Sequence, residues 1–148
     1  MNNVLNYFVK LNPPVSEVQI ESAEKEMGIK IPSELRTFYT IANGGIPPEG
    51  YEYNYNDSFS IGFVSIYDLG FLTSAYLSNK RADEYYKTND YCSNYLLPFI
   101  DLGQNQICIA FNGENIGKIF WLGEPGDGFP VYLLENSLDD FFGKLKHN

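Results

Sequence analysis

Between Pro13 and Pro48 the chain spells out two short helices, with start and stop signals that leave little freedom for any other local structure. Pro13-Pro14 disfavours helix immediately upstream. Ser16 then offers an N-cap hydroxyl, and Gln19 three residues later completes a capping box. Val15 and Ile20 flank the cap as a hydrophobic staple. Val18, Ile20, Ala23 and Met27 recur at helical spacing, Glu17, Glu21 and Glu24 complement the positive end of the dipole, and Gly28 supplies a left-handed stop. The spacing predicts a helix over 17–27. After Pro32 the pattern repeats through Leu35, Phe38, Tyr39 and Ala42, with Asn43-Gly44-Gly45 read as its C-cap. Ile46-Pro47-Pro48 cannot extend it.

Beyond this pair the period changes from helical to alternating. Tyr51, Tyr53 and Tyr55 alternate with Glu52, Asn54 and Asn56, and Phe59, Ile61 and Phe63 with Ser58, Ser60 and Gly62, which predicts two strands. Ser65 and Asp68 offer caps for a short helix, and a further helical stretch is expected from about Thr73 to Tyr86, with Gly70 interrupting the pattern. Residues 87–95 read as a polar loop. Gln106–Phe111 and Lys118–Leu122 read as paired strands around Asn112-Gly113, with a long loop up to Gly117. Phe129–Leu134 reads as a strand that Pro130 confines to an edge or a bulge. Ser137 and Asp140 cap a final helix with Leu138, Phe141, Phe142 and Leu145 as its buried stripe. Leu35, Phe38, Ile109, Trp121 and Phe141 are the expected core.

These 148 residues (16.8 kDa) are one domain's worth, so residues 1–148 are read as a single domain. The net charge of −9 argues against nucleic acid and anionic membranes as partners. No run approaches a membrane span, and the first residues lack the basic head and apolar run of a signal peptide. Cys92 and Cys108 have neither zinc nor redox-pair spacing and read as reduced thiols of a cytoplasmic protein. His147, the single histidine, lies at a terminus expected to fray, so no catalytic residues are assigned. Glu124 and Asp127 share a glycine-rich loop but lack the oxygen ligands of a calcium site, so neither metal nor cofactor is expected. From Asp101 to Asp140 seven acids face one base, Lys118, which suits either solubility or a basic partner.

Nine of the twelve tyrosines fall between Tyr51 and Tyr95, interleaved with asparagines. Tyrosine gives contact area at small entropic cost, as at protein interfaces, and it also favours half-buried strands. Three buried hydroxyls within five residues would be hard to satisfy. The segment Tyr51-Glu52-Tyr53-Asn54-Tyr55, with Glu124 and Asp127, is therefore the expected partner-binding surface, an edge strand using tyrosine for pairing being the alternative.

Three blocks carry a resemblance. The first runs from Ile20 to Ile29, continues through Ile31-Pro32-Ser33-Glu34-Leu35-Arg36-Thr37-Phe38-Tyr39 and ends at Asn43-Gly44-Gly45. The second is Leu97-Pro98-Phe99-Ile100 with Asp101, Gly103, Asn105 and Ile107-Cys108-Ile109, then Gly117-Lys118-Ile119-Phe120-Trp121. The third is Ser137-Leu138-Asp139-Asp140-Phe141-Phe142. In this order they resemble the SUKH superfamily, which includes bacterial toxin-immunity proteins and a fungal regulator of cell-wall synthesis. The resemblance implies an α+β domain, with an N-terminal helical pair and a C-terminal helix on a mainly antiparallel sheet. It also implies a binding role rather than an enzyme. The expected function is neutralisation of a cognate toxin domain, possessing basic character and acting as a nuclease or otherwise, by stoichiometric binding. The alternative is a non-catalytic regulatory adaptor. Leu122-Gly123 stand where relatives often carry Asp and His, so no role is carried over to those positions.

Overall fold

The computed structural model describes residues 5–87, 92–124 and 128–148. Strand β1 (Lys10–Leu11) leads into helices α1 (Glu17–Met27) and α2 (Ser33–Ile41). Ser16 caps α1 with the full capping box, and Gly28 closes it in the left-handed region at φ 74°. Ile20, Ala23 and Met27 are buried as the pattern requires, whereas Val18 is exposed. Its place in the stripe goes to Glu24, which is buried beside Met27. The Glu24 carboxylate accepts from the Ile31 N–H at 2.8 Å and from Arg36 at 2.6 Å. A charge can occupy the buried face only with such partners.

Helix α2 ends differently from its predicted cap. Ala42 is already extended, and Asn43-Gly44-Gly45 belongs to a crossing of three segments around strand β2 (Gly45–Ile46). A Cβ on Gly44 would stand 2.7 Å from the Ile66 carbonyl oxygen, and one on Gly45 2.7 Å from that of Lys10. The glycines let β2 lie between its neighbours, and Gly44 also takes φ 80°. The Asn43 side-chain oxygen accepts from the Leu69 N–H at 2.7 Å, at the start of the next helix.

Strands β3 (Tyr51–Asn56) and β4 (Phe59–Gly62) form the expected hairpin, followed by β5 (Ser65–Ile66). Asp68 alone caps α3 (Leu69–Tyr86), one continuous helix through Gly70, and Ser65 lies in β5. The predicted break fails because Gly70 disfavours helix by only about 1 kcal/mol, which eighteen residues of packed helix overcome. A short 3-10 turn, Cys92–Asn94, replaces part of the polar loop, and both Cys92 and Ser93 are buried.

Strand β6 (Leu96–Asp101) was not expected from the pattern, although it occupies the middle of the main sheet. Pro98 argues against a central strand because it has no N–H to donate. The register shift between Pro98 and Ile100 is the bulge that accommodates it. Then come β7 (Gln106–Ala110), β8 (Ile119–Leu122), β9 (Val131–Glu135), α4 (Leu138–Gly143) and β10 (Leu145–His147). The boundaries leave Phe111, Lys118 and Phe129 outside the strands, and carry β9 on to Glu135. Leu145 is buried as expected but in a strand rather than in the last helix. His147 does not fray: it pairs with Tyr51, and the two rings meet edge to face at 5.6 Å.

Seven strands form one antiparallel sheet in the order β1-β2-β5-β6-β7-β8-β9, and three form a second in the order β10-β3-β4. Alternation along β7 divides the core. Ile107 and Ile109 join Leu35, Phe38, Tyr53 and Phe141, while Cys108 and Ala110 join Cys92, Phe120, Leu122 and Phe129. The second face is met by α3, through Ala82 and a 2.8 Å hydrogen bond from Asn79 to Gln106. The fold is thus α+β, with the helical pair and the C-terminal helix built against antiparallel sheets.

Candidate functional site

Alternation places Tyr51, Tyr53 and Tyr55 on one side of β3, but their surroundings differ. Tyr51 is half-buried and stacked on Tyr7 at 6.2 Å. Tyr53 is wholly buried, its ring stacked on Phe141 at 4.6 Å, and it is not part of any accessible surface. Its hydroxyl donates to the Glu135 carboxylate, which also holds Lys144 at 2.7 Å. Burial, first, and the hydrogen bond to Glu135 push the Tyr53 phenol far above the ordinary tyrosine range. A buried hydroxyl next to a buried acid is thus satisfied by a partner that lies eighty-two residues further on, which no local pattern discloses.

Tyr55 is passed over where the β3–β4 register shifts between Asn54 and Asn56. A bulge of this kind re-aims a side chain, and Tyr55 is 41% exposed. Its ring meets Phe59 edge to face at 6.3 Å and lies 5.9 Å from the Lys144 ammonium. Lys144 also donates to the Tyr55 carbonyl at 3.4 Å, so one cation links the buried Tyr53 pair to the exposed ring.

Opposite this hairpin stand β8 and β9. Trp121 pairs with Tyr132 across the two strands, ring centroids 5.5 Å apart. Trp121 is half-buried rather than core. It follows Ile119 on the face of Ile107, opposite which it stands in the ladder. Tyr55, Asn56, Phe59 and Ile61 on one side and Trp121, Tyr132, Leu133 and Leu134 on the other line an open, mainly apolar cleft of about 580 Å³. Phe59, Tyr132 and Leu133 are exposed there.

Of the segment expected to bind, Tyr55 alone lines this cleft. Glu52 accepts from Ser60 and from the C-terminal Asn148 at 2.8 Å, and Asn54 donates to the Lys144 carbonyl at 3.3 Å, so both tie strands together. Glu124 is half-buried just after β8, three residues beyond Trp121. Asp127 lies outside the described residues. The alternating pattern assigns Phe59, Tyr132 and Leu133 only to strands, and Trp121 to the core. Pro130 marks β9, and with it Tyr132 and Leu133, as an edge, while no local signal marks Phe59 or Trp121.

The other buried acids are likewise engaged. Asp83 accepts from the Ser93 N–H at 2.9 Å and from the Cys92 thiol at 3.6 Å. Burial, and then this carboxylate, raise the Cys92 thiol well above its ordinary range, and burial does the same at Cys108. Both cysteines are free, buried and poorly disposed to ionise. Among the described residues no cluster of His, Cys, Asp and Glu could hold a metal ion, and no helix is long and apolar enough to cross a membrane.

Engaged carboxylates, protonated thiols and an apolar cleft between two antiparallel sheets describe an α+β domain shaped for contact with another molecule. More narrowly, the chain belongs to the SMI1 / KNR4 family (SUKH-1), whose model matches residues 14–144. The match takes in all three blocks of resemblance, from the start of α1 to the end of α4. Membership places the chain among domains of the immunity-protein or regulator type, which are generally non-catalytic and work through protein contacts. No curated protein matches the chain at a significant level.

Proposed function

We propose that the protein is the immunity partner of a bacterial toxin, binding one cognate toxin domain and holding it inactive in the cytoplasm. The observation that carries this reading is the cleft. Its rings are exposed beside a core that leaves no buried polar side chain without a partner among the described residues. Exposed tyrosine and phenylalanine beside a half-buried tryptophan in one concave patch are the kind of side chains that dominate binding energy when a partner dries them. The net charge of −9 favours a basic partner, such as a nuclease whose own substrate is a polyanion.

Neutralisation then rests on affinity and needs a stable complex. Co-expression with the C-terminal domain of a toxin encoded beside the gene should restore growth, and the two chains should co-purify at about one-to-one stoichiometry. Neutralisation by a small fraction of an equivalent would mean turnover and would overturn the binding reading. No rescue by any neighbouring toxin domain would overturn the immunity reading.

A further inference from the structure

Two strands with an open side meet at the cleft: β9 ends the seven-stranded sheet and β4 ends the three-stranded one, and residues of both line the same cavity. The pairing of β9 shows which of its backbone groups have no partner among the described residues. The Gly123 N–H donates to the Pro130 carbonyl at 2.8 Å, so Gly123 and Pro130 form a hydrogen-bonded pair. In an antiparallel ladder such pairs alternate with non-bonded ones. Tyr132, opposite Trp121, therefore bonds to β8, while Val131 and Leu133 turn their N–H and C=O groups to the open side. Natural edges are commonly blunted by lysine, proline, a bulge, inward-pointing charge or a covering segment; Pro130 stands just before β9 and the register shift falls beyond Leu133, so the run from Val131 to Leu133 between them carries neither. Here Val131-Tyr132-Leu133-Leu134 is apolar, and Tyr132 and Leu133 are exposed.

From this we infer that the cleft receives an extended, basic segment of the partner, added as a strand to the open side of β9. Alternate side chains of the added strand would rest on Trp121 and Tyr132, as in recognition by strand addition. The charge near the cleft decides the partner's chemistry. Glu52, Asp57, Glu124 and Glu135 each lie within three residues of a lining residue, against two bases: Lys118, three residues before Trp121, and Lys144, which lies over the Tyr55 ring and is already bonded to Glu135. A second copy of this chain brings its own nine negative charges to the same edge and is disfavoured by self-repulsion. The basic character assigned to the segment rests on the immunity reading as well as on this charge; the geometry of the free edge does not.

The test uses the whole protein and a synthetic peptide alternating lysine and valine over about eight residues, a strand's length. Trp121 is the only tryptophan, so its fluorescence reports the cleft directly. The peptide should shift that emission to the blue. It should also slow hydrogen exchange at the Val131 and Leu133 amides by at least about tenfold, leaving Tyr132 unchanged. A glutamate–valine peptide should bind at least about tenfold more weakly. An emission shift without protection of Val131 and Leu133 overturns strand addition. Protection of both amides in the absence of peptide, with a doubled mass in solution, assigns the edge to a second copy and also overturns it. Growth rescue by a toxin domain, with neither that domain nor the peptide protecting these amides, overturns the inference and leaves the immunity reading standing. Peptide protection without rescue by any toxin domain has the reverse meaning.

Discussion

Tyr53 and Tyr55 lie two residues apart on one strand and belong to different parts of the molecule. Around Tyr53, Phe141 and Glu135 every surface is covered, and the hydroxyl has an acid to donate to. Around Tyr55 the rings of Phe59, Trp121 and Tyr132 are also gathered, yet the space between them is open. Residue type is nearly the same in both regions. What separates them is coverage: α4 and β10 close over the first, and nothing among the described residues closes over the second. A closed aromatic cluster contributes its burial to folding, whereas an open one holds that contribution in reserve for a partner.

The comparison breaks most easily at the ring that anchors the closed side. Phe141 contacts Tyr53, Phe63, Phe99 and Phe142. Phe141→Ala, and likewise Phe38→Ala, should destabilise the protein by about 3–5 kcal/mol in chemical denaturation. Trp121→Ala, in the half-open region, should cost only about 1–2 kcal/mol because less of its surface leaves water on folding. Equal losses at Phe141 and Trp121 would show that the two regions do not differ in the way described.

Binding should rank the two regions in the opposite order. Tyr55→Ala should weaken the toxin complex by about 2 kcal/mol or more, with the unfolding midpoint nearly unchanged. Tyr53→Phe should leave affinity intact and lower stability by about 1–3 kcal/mol, as it leaves Glu135 without a hydroxyl donor. Calorimetric titration beside thermal unfolding separates the two. A binding loss at Tyr53 with no stability loss would place the interface on the wrong half of β3.

The same pair shows what could be read without coordinates. The end of the second helix was not legible, since Asn43-Gly44-Gly45 serves the crossing at β2, whereas the first helix was legible to its caps because Ser16, Gln19 and Gly28 act within one or two turns of the chain. The β3–β4 hairpin and the edge position of β9 were legible for the same reason, through alternation and Pro130. Tyr53 was not, since its partner is Glu135, and a local argument that three hydroxyls are hard to satisfy cannot anticipate an acid from the far end of the chain. Trp121 is expected in the core from its strand position beside Ile119 and Phe120 and from the lack of a basic groove; that it lines an open cleft is a tertiary fact. Strand β6 was hidden by Pro98, whose missing donor a bulge absorbs. His147 was dismissed as a frayed end because nothing nearby in sequence reveals that β10 pairs with β3.

Alkaline titration extends the contrast to the buried phenols. Burial raises the pKa of Tyr39, Tyr53 and Tyr76 above the ordinary value of 10.0, and that of both cysteines above 9.0. Their neutral forms are favoured in the folded state, so their contribution is complete below about pH 9. It is lost as pH rises past the unfolded values toward the folded ones. Each group should steepen the loss by up to about 1.4 kcal/mol per pH unit in that window. Denaturation at pH 8 to 11 should therefore show a plateau and then a fall, and Tyr53→Phe should make the fall shallower. A stability that keeps rising with pH through 10 would contradict the burial of these groups.

The smallest effect concerns the charge around the open region. If acids near the cleft steer a basic partner, association should slow as salt rises, because exposed charges are screened beyond about 8 Å at physiological ionic strength. Glu124 is half-buried at the end of β8, close in sequence to Trp121, and has no role in the closed core. Glu124→Gln should lower the on-rate by about twofold to fivefold, the kinetic equivalent of a surface charge pair, with the off-rate barely altered. Combining it with Asp127→Asn should add to the loss if both acids face the partner. Stopped-flow mixing at low and high salt reads this directly, using the fluorescence of Trp121. An on-rate that ignores salt, in wild type and variants alike, would reduce the acidity to a device for solubility and leave recognition to the rings of the cleft alone.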